Sequence, residues 1–319
     1  MLRNKTVLVT GGTGSFGQKF TEIILKEQPK AVRIFSRGEF LQWEMGRRFD
    51  NSSLRFFIGD IRDKDRLHRA TKDVDFIIHA AALKHVPICE YNPIEAVSTN
   101  ITGAINIIDC AIENGISRVL SISSDKAVHP VNLYGATKMI MEKLFIQANS
   151  YSKNTRFSCV RYGNVVGSRG SIVPLFKKQK LDGLITITDE RMTRFWITLE
   201  QGAMFALNCI QMMRGGEVFI PIIPSMKVID LADVIAPKAK IKLTGIRPGE
   251  KLHEILITED EARHTRAFED YFVIQPEFPF WTEDTYWDLT GEELPDGFRY
   301  SSDNNTRWLT KEKLTEMVK

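Results

Sequence analysis

Thr6-Val-Leu-Val-Thr10, followed by Gly11-Gly-Thr-Gly-Ser-Phe-Gly17, is a short apolar run that ends in a glycine-rich turn. The run has the length and branching of a buried strand, and the residues after the turn suit a helix. Glycines at 11, 14 and 17 permit a tight turn and let a pyrophosphate approach the backbone at a helix N-terminus. An ordinary strand–helix turn is the alternative, but with a strand before and a helix after, the glycine spacing favours dinucleotide binding. Gly11, Thr13, Gly14, Ser15, Phe16 and Gly17 are therefore candidate cofactor contacts.

Strand-like and helix-like segments alternate outward from this loop. Strands are predicted at 6–10, 32–36, 55–58, 75–79, 118–123 and 157–161, with helices between them, the longest at 93–114 and 131–150. Such alternation is the pattern of βαβ units around a parallel sheet. After residue 167 the rhythm changes. Helices are predicted at 171–180 and 200–213, and short strands at 192–197, 217–221 and 240–243. The fold class is α/β: a doubly wound parallel-sheet Rossmann domain over 1–167, to which later segments return. A smaller, interleaved C-terminal substrate domain takes most of 168–319.

With 319 residues, 43% hydrophobic and 26% charged, the composition is that of a soluble globular protein. A formal net charge of +3 is too small to argue for nucleic acid or a membrane surface as partner. The four cysteines form no C-x-x-C pair, so neither a zinc site nor a disulfide framework is expected, and a reduced cytoplasmic setting fits. No signal-peptide core and no apolar stretch long enough to cross a bilayer are present in the sequence.

The remaining strand ends carry the chemistry, as open α/β sheets require. After the second strand, Ser36-Arg37 stands where a carboxylate would select NAD. A hydroxyl and a guanidinium suit the 2′-phosphate of NADP instead, with NAD kept as the alternative because Glu39 is near. Asp60-Ile61, after the third strand, is placed for the adenine, or Asp60 caps the next helix. Ala80 and Ala82 would let riboses and nicotinamide lie on the backbone. Lys84 could reach ribose or substrate, or remain an exposed lysine. His79 and His85 lack carboxylate partners at metal-ligand spacing, so no metal is expected.

Ser123-Ser-Asp125-Lys126 follows the fifth strand, with Tyr134 and Lys138 one helical turn apart beyond it. Beside a dinucleotide loop, the Lys138 ammonium would stabilise the Tyr134 phenolate and lower its pKa. The phenolate would take a hydroxyl proton as the carbon gives hydride to the nicotinamide. The ordinary alternative is a half-buried aromatic with a surface lysine.

T-G-G-T-G-S-F-G, S-S-D-K and Y-G-A-T-K together resemble the extended short-chain dehydrogenase/reductase superfamily, in its nucleotide-sugar branch. Four further blocks narrow this: A-A-A-L-K-H-V-P (80–87), R-Y-G-N-V-V-G-S-R-G-S (161–171), M-T-R-F-W-I-T (192–198) and G-I-R-P-G-E-K-L-H-E (245–254). They are similar to the soluble inverting UDP-N-acetylglucosamine 4,6-dehydratases of pseudaminic acid biosynthesis.

The resemblance implies oxidation at C4 with Tyr134 and Lys138, loss of water across C5–C6, and return of hydride to C6 from a recycled NADP. Retaining relatives use an Asp-Glu pair for the elimination. Here Asp125 keeps the acid and Lys126 replaces the glutamate, implying reprotonation on the opposite face of C5 and a 4-keto-6-deoxy-L-arabino product. An amine acts as base only when neutral, so this reading requires the Lys126 pKa to fall. A surface ion pair is the ordinary alternative.

Related dehydratases, some fused to membrane segments, share S-x-D-K but carry Met at the Tyr134 position; the tyrosine favours the pseudaminic branch. The resemblance also implies Arg169 and Arg247 on the UDP diphosphate, Asn164 on the sugar or its phosphate, and Val165 on the cofactor, although such groups commonly satisfy loop carbonyls instead. Arg194 is ambiguous between substrate and core. Similar enzymes are homo-oligomers, commonly hexamers. A UDP-sugar 4-epimerase, a retaining dehydratase of a capsule or glycan pathway, and a non-catalytic nucleotide sensor are the rival readings.

Overall fold

The computed structural model describes residues 2–167, 171–277 and 286–318. Its centre is a ten-stranded sheet. The first half of the chain supplies β1 (Thr6–Thr10), β2 (Ala31–Ser36), β3 (Leu54–Ile58), β4 (Phe76–His79), β5 (Arg118–Ile122) and β6 (Arg156–Val160). They lie in the order 3-2-1-4-5-6, all parallel. The order reverses beside β1, which opens a crevice between the carboxyl ends of β1 and β4. β1 is buried at every position, as a central parallel strand covered by helices on both faces must be.

The connecting helices are α1 (Ser15–Leu25), α2 (Glu39–Phe49), α3 (Lys64–Thr71), α4 (Val86–Tyr91), α5 (Pro93–Val97), α6 (Gly103–Glu113) and α7 (Leu133–Gln147). The single helix predicted over 93–114 is divided by a wider π-helical turn at Ser98–Thr102. α7 begins at Leu133 rather than 131. Pro130 precedes it, and Asn132 in extended backbone accepts the Gly135 N–H at 2.8 Å as its N-cap. Asp63, not Asp60, caps α3, accepting from Arg66 N at 2.9 Å.

The second half contributes β7 (Asn164–Val165), α8 (Ile172–Leu181), β8 (Leu184–Ile187), β9 (Thr193–Ile197), α9 (Leu199–Met212), β10 (Val218–Pro221), β11 (Ser225–Lys227), α10 (Val228–Ile235) and β12 (Lys240–Leu243). They are followed by β13 (Ile255–Ile257), α11 (Glu259–Ala262), β14 (Thr265–Ala267), β15 (Tyr271–Ile274), α12 (Tyr286–Thr290), β16 (Glu292–Glu293) and β17 (Tyr300–Ser301). β10 extends the large sheet in parallel beside β6, and β15, β14 and β16 add antiparallel strands at that edge. A separate core of Phe176, Ile185, Trp196, Leu231 and Leu314 lies under α8, β8, β9 and α10. The chain thus crosses between the two cores more than once, and Asn164, Val165, Ser171 and Leu199 from this half reach the crevice.

Candidate active site

The glycine loop is shaped by close approach as much as by turning. Gly11 has φ +64°, and a Cβ there would lie 2.9 Å from Ala81 Cα. A Cβ at Gly17 would lie 2.5 Å from Gly12 Cα, so α1 meets the loop backbone directly. Gly14, the N-cap of α1, supplies no capping side chain. Helix-terminal N–H groups therefore face the crevice, the environment a phosphate favours. Opposite, Thr10 Oγ1 and His79 Nδ1 lie 2.9 Å apart and tie the ends of β1 and β4 together. The Ala81 N–H donates to the same hydroxyl at 3.3 Å, which lays 80–82 along the loop.

The resulting cleft of about 830 Å³ gathers nearly every predicted residue. Its walls include the glycine loop from Gly11 to Gly17, Ser36, Arg37, Asp60, Ile61, Ala80, Ala82 and Lys84. Asp125, Lys126, Tyr134, Lys138, Asn164 and Val165 complete them. The Ser36 hydroxyl accepts from Gln42 Nε2 at 3.0 Å, while Arg37 is 60% exposed and lies 4.0 Å from Asp60. Arg169 lies outside the described residues. Arg247 is 58% exposed, lies 4.0 Å from Glu250, and does not line this cleft in the ligand-free protein.

The floor is built where β5 runs into α7. A Cβ at Gly135 would lie 2.1 Å from Lys126 O, so only glycine lets the first turn of α7 press against the 125–127 turn. This brings Tyr134 beside Lys126. Asp125 is buried, with Oδ1 accepting from Ser124 Oγ at 2.9 Å and Lys126 Nζ at 3.0 Å. Its Oδ2 is buried without a hydrogen-bond partner. Asn132 Nδ2 donates to Gly249 O at 2.8 Å and joins α7 to the 245–254 segment.

Two electrostatic expectations are reversed. Burial pushes the Tyr134 phenol up to about 12; Lys126 and a Ser124 hydrogen bond pull it back only in part. Lys138 Nζ donates to Ile122 O at 2.7 Å, and burial lowers the Lys138 pKa to about 8. The second reversal concerns Lys126. Burial opposes its charge, but Asp125 and then Glu254 outweigh burial and hold the pKa above the ordinary lysine range. In the ligand-free protein Lys126 is an ammonium.

Two side chains missing from the sequence reading complete the site. Asn100, on the π-helical turn, accepts from Leu83 N at 2.8 Å and donates to Leu83 O and Thr137 Oγ1, each at 2.9 Å. It braces the 80–84 wall against α7. Glu254, the last residue of the 245–254 block, is buried with Oε1 3.4 Å from Lys126 Nζ. Its place in that block was the one available signal. Arg194 donates to the carbonyls of Thr193, Leu252 and Lys251, and its Nε lies 3.8 Å from Glu254.

A parallel sheet in 3-2-1-4-5-6 order, a glycine loop at its switch point and a tyrosine and lysine one turn apart below it define the extended short-chain dehydrogenase/reductase class. Within it, the chain belongs to the polysaccharide biosynthesis protein family, whose model matches residues 7–276. It is 51% identical over 328 aligned residues to a UDP-N-acetylglucosamine 4,6-dehydratase (inverting) of Campylobacter jejuni, covering 100% of this chain and 98% of the relative. A UDP-glucose 4-epimerase of Rickettsia canadensis is 38% identical, with 100% and 96% covered. The X-ray structure of Pen from Bacillus thuringiensis superposes with a TM-score of 0.91 at 39% identity, covering 100% of this chain and 98% of that one.

Proposed function

We propose that this enzyme is an inverting UDP-GlcNAc 4,6-dehydratase, a hydro-lyase that removes water across C5–C6 and inverts C5. The observation that carries this reading is the half-buried Asp125–Lys126 contact of 3.0 Å on the cleft floor beside Tyr134. A 4-epimerase needs no such acid–base pair for elimination. The full-length similarity to the Campylobacter dehydratase supports the same choice.

The glycine loop and the alanine wall fit a dinucleotide, since added side chains at Gly11 or Gly17 would fill the approach. A nicotinamide cofactor bound there would accept hydride from C4 and return it at C6. Ser36 and Arg37 favour NADP, because a hydroxyl and a guanidinium suit a 2′-phosphate. Tyr134, acting as a phenolate after losing its own proton to solvent, takes the C4 hydroxyl proton. Lys126 acts as an amine, its ammonium proton likewise lost to solvent before the elimination, so that the rate rises with pH through that loss. The amine takes the C5 proton, those electrons form C5=C6, and the proton passes across the 3.0 Å contact to Asp125 and on to the departing O6. Amine and carboxylate are thereby restored. Hydride returned at C6 and a solvent proton added to C5 on the opposite face give the L-arabino product.

Asn164 would meet the sugar and Val165 the cofactor. The Rossmann domain (1–167, with returning strands) carries the cofactor, and the 168–319 portion carries most of the substrate contacts. Among the described residues no helix is long and apolar enough to cross a membrane. The four free, buried cysteines fit a reduced cytoplasmic setting. Exposed Tyr91 and Ile94 on α4 and α5 fit a homo-oligomer, and the family resemblance implies a hexamer. The product suits the first step of pseudaminic acid assembly. Incubation with UDP-GlcNAc in deuterated water, followed by NMR, should give a 6-deoxy-4-keto product with deuterium at C5, L-arabino configuration and no net reduced cofactor. A C4 epimer alone would refute the proposal, and retained C5 configuration would refute inversion.

A further inference from the structure

Glu254 sits at the junction of the two cores, held by its backbone. Its N–H donates to Ser302 Oγ at 2.9 Å and its carbonyl accepts from Ser302 N at 2.8 Å. The carboxylate is 3% exposed. Oε1 lies 3.4 Å from Lys126 Nζ and 3.8 Å from Arg194 Nε; Oε2 lies 3.7 Å from Lys251 Nζ and has no hydrogen-bond partner. Arg194 and Lys251 direct their hydrogen bonds to backbone carbonyls, Lys251 to Val128 O. Glu254 is therefore in ion-pair range of three cations and, with Asp125, gives Lys126 two carboxylates.

We propose that Glu254 is a positioning residue for the dehydration, the second carboxylate that holds Lys126 Nζ over the cleft and sets the pH at which its amine becomes available. The inference rests on Lys126 being the C5 base. The groups facing Lys126 are Asp125 from its own turn, Glu254 and Lys251 from the 245–254 segment, Arg194 from β9, Lys84 from the wall after β4 and Tyr134 from α7. Remove Glu254, and Lys126, Arg194 and Lys251 face Asp125 alone. Repulsion among the cations then favours the amine. Conversely, when Lys126 has taken the C5 proton, Glu254 stabilises the ammonium so formed.

The test follows product formation and C5 deuterium incorporation by the holoenzyme with UDP-GlcNAc from about pH 6 to about pH 10. In Glu254→Gln the acid limb of the rate should move down by roughly one pH unit, a tenfold gain in amine fraction on that limb. Glu254→Asp, which keeps the charge and shortens the reach, should leave the limb near its wild-type pH and lower kcat several-fold. A Glu254→Gln profile that falls by one factor at every pH would overturn the proposal. Should that variant fail to fold, Arg194→Gln removes an opposing cation and must move the limb upward; an unmoved limb overturns the proposal equally. Lys126→Met is run alongside. If it keeps C5 exchange, the base assignment fails; if it loses exchange while the Glu254→Gln limb stays put, only the role given to Glu254 fails.

Discussion

Arg161, at the end of β6, joins the helix that carries Tyr134 to the segment that carries Glu254, and its removal has a calculable cost. It is buried, with Nη2 2.6 Å from Glu142 Oε2 and Nε 3.1 Å from Glu142 Oε1 on α7. Nη2 also lies 2.9 Å from Glu261 Oε1 on α11, and Nη1 donates to Leu256 O at 2.8 Å on β13. Arg161→Met leaves Glu142, itself 3% exposed, without a counter-charge. Stranding a buried charge costs about 3–5 kcal/mol. Glu261 has a 29% exposed side chain and can return to water, so Glu142 dominates the loss. With a urea dependence of about 3 kcal/mol per molar, the unfolding midpoint should fall by roughly 1–2 M. Adding Glu142→Leu removes the stranded charge and should return at least about 2 kcal/mol, a coupling that a double-mutant cycle measures. A loss below about 1 kcal/mol in the single variant, or a double variant no more stable than the single, would refute the reasoning.

Other variants test other parts of the structure. His79 is held neutral by burial and then by the Lys138 charge, with its pKa lowered to about 3 from 6.5. Its contribution to stability is therefore present above pH 6.5 and lost as pH falls towards 3. The wild type should lose about 3 kcal/mol more than His79→Gln between pH 7 and pH 4 in urea titrations, and equal losses would contradict the assignment. Gly17→Ala drives a methyl into Gly12 and should weaken NADPH binding by at least about tenfold in a fluorescence titration. Arg37→Ala should raise the Kd for NADP by about tenfold and leave NAD binding unchanged, which competitive titration reads. Asp125→Asn should keep C4 oxidation but slow water loss by roughly 10²–10⁴, so that reduced cofactor accumulates at 340 nm; its absence would remove Asp125 from the acid role.

What the sequence alone determined about this protein is what short-range geometry encodes. Apolar runs of strand length, glycines spaced around a turn and Tyr134 one turn from Lys138 all report on neighbouring backbone, so the parallel sheet, its crevice and most of the cleft wall could be read directly. Long-range assembly decided the rest. Glu254 reaches Lys126 only because the chain crosses between two cores, and no spacing within either segment encodes that contact. The charge on Lys126 and the proton on Tyr134 depend on burial and on charges acting through space from four separate segments. A lysine beside an aspartate looks alike in sequence whether it is an amine or an ammonium. Burial in the folded protein favours the amine, and Asp125 with a second carboxylate, Glu254, keeps it the ammonium.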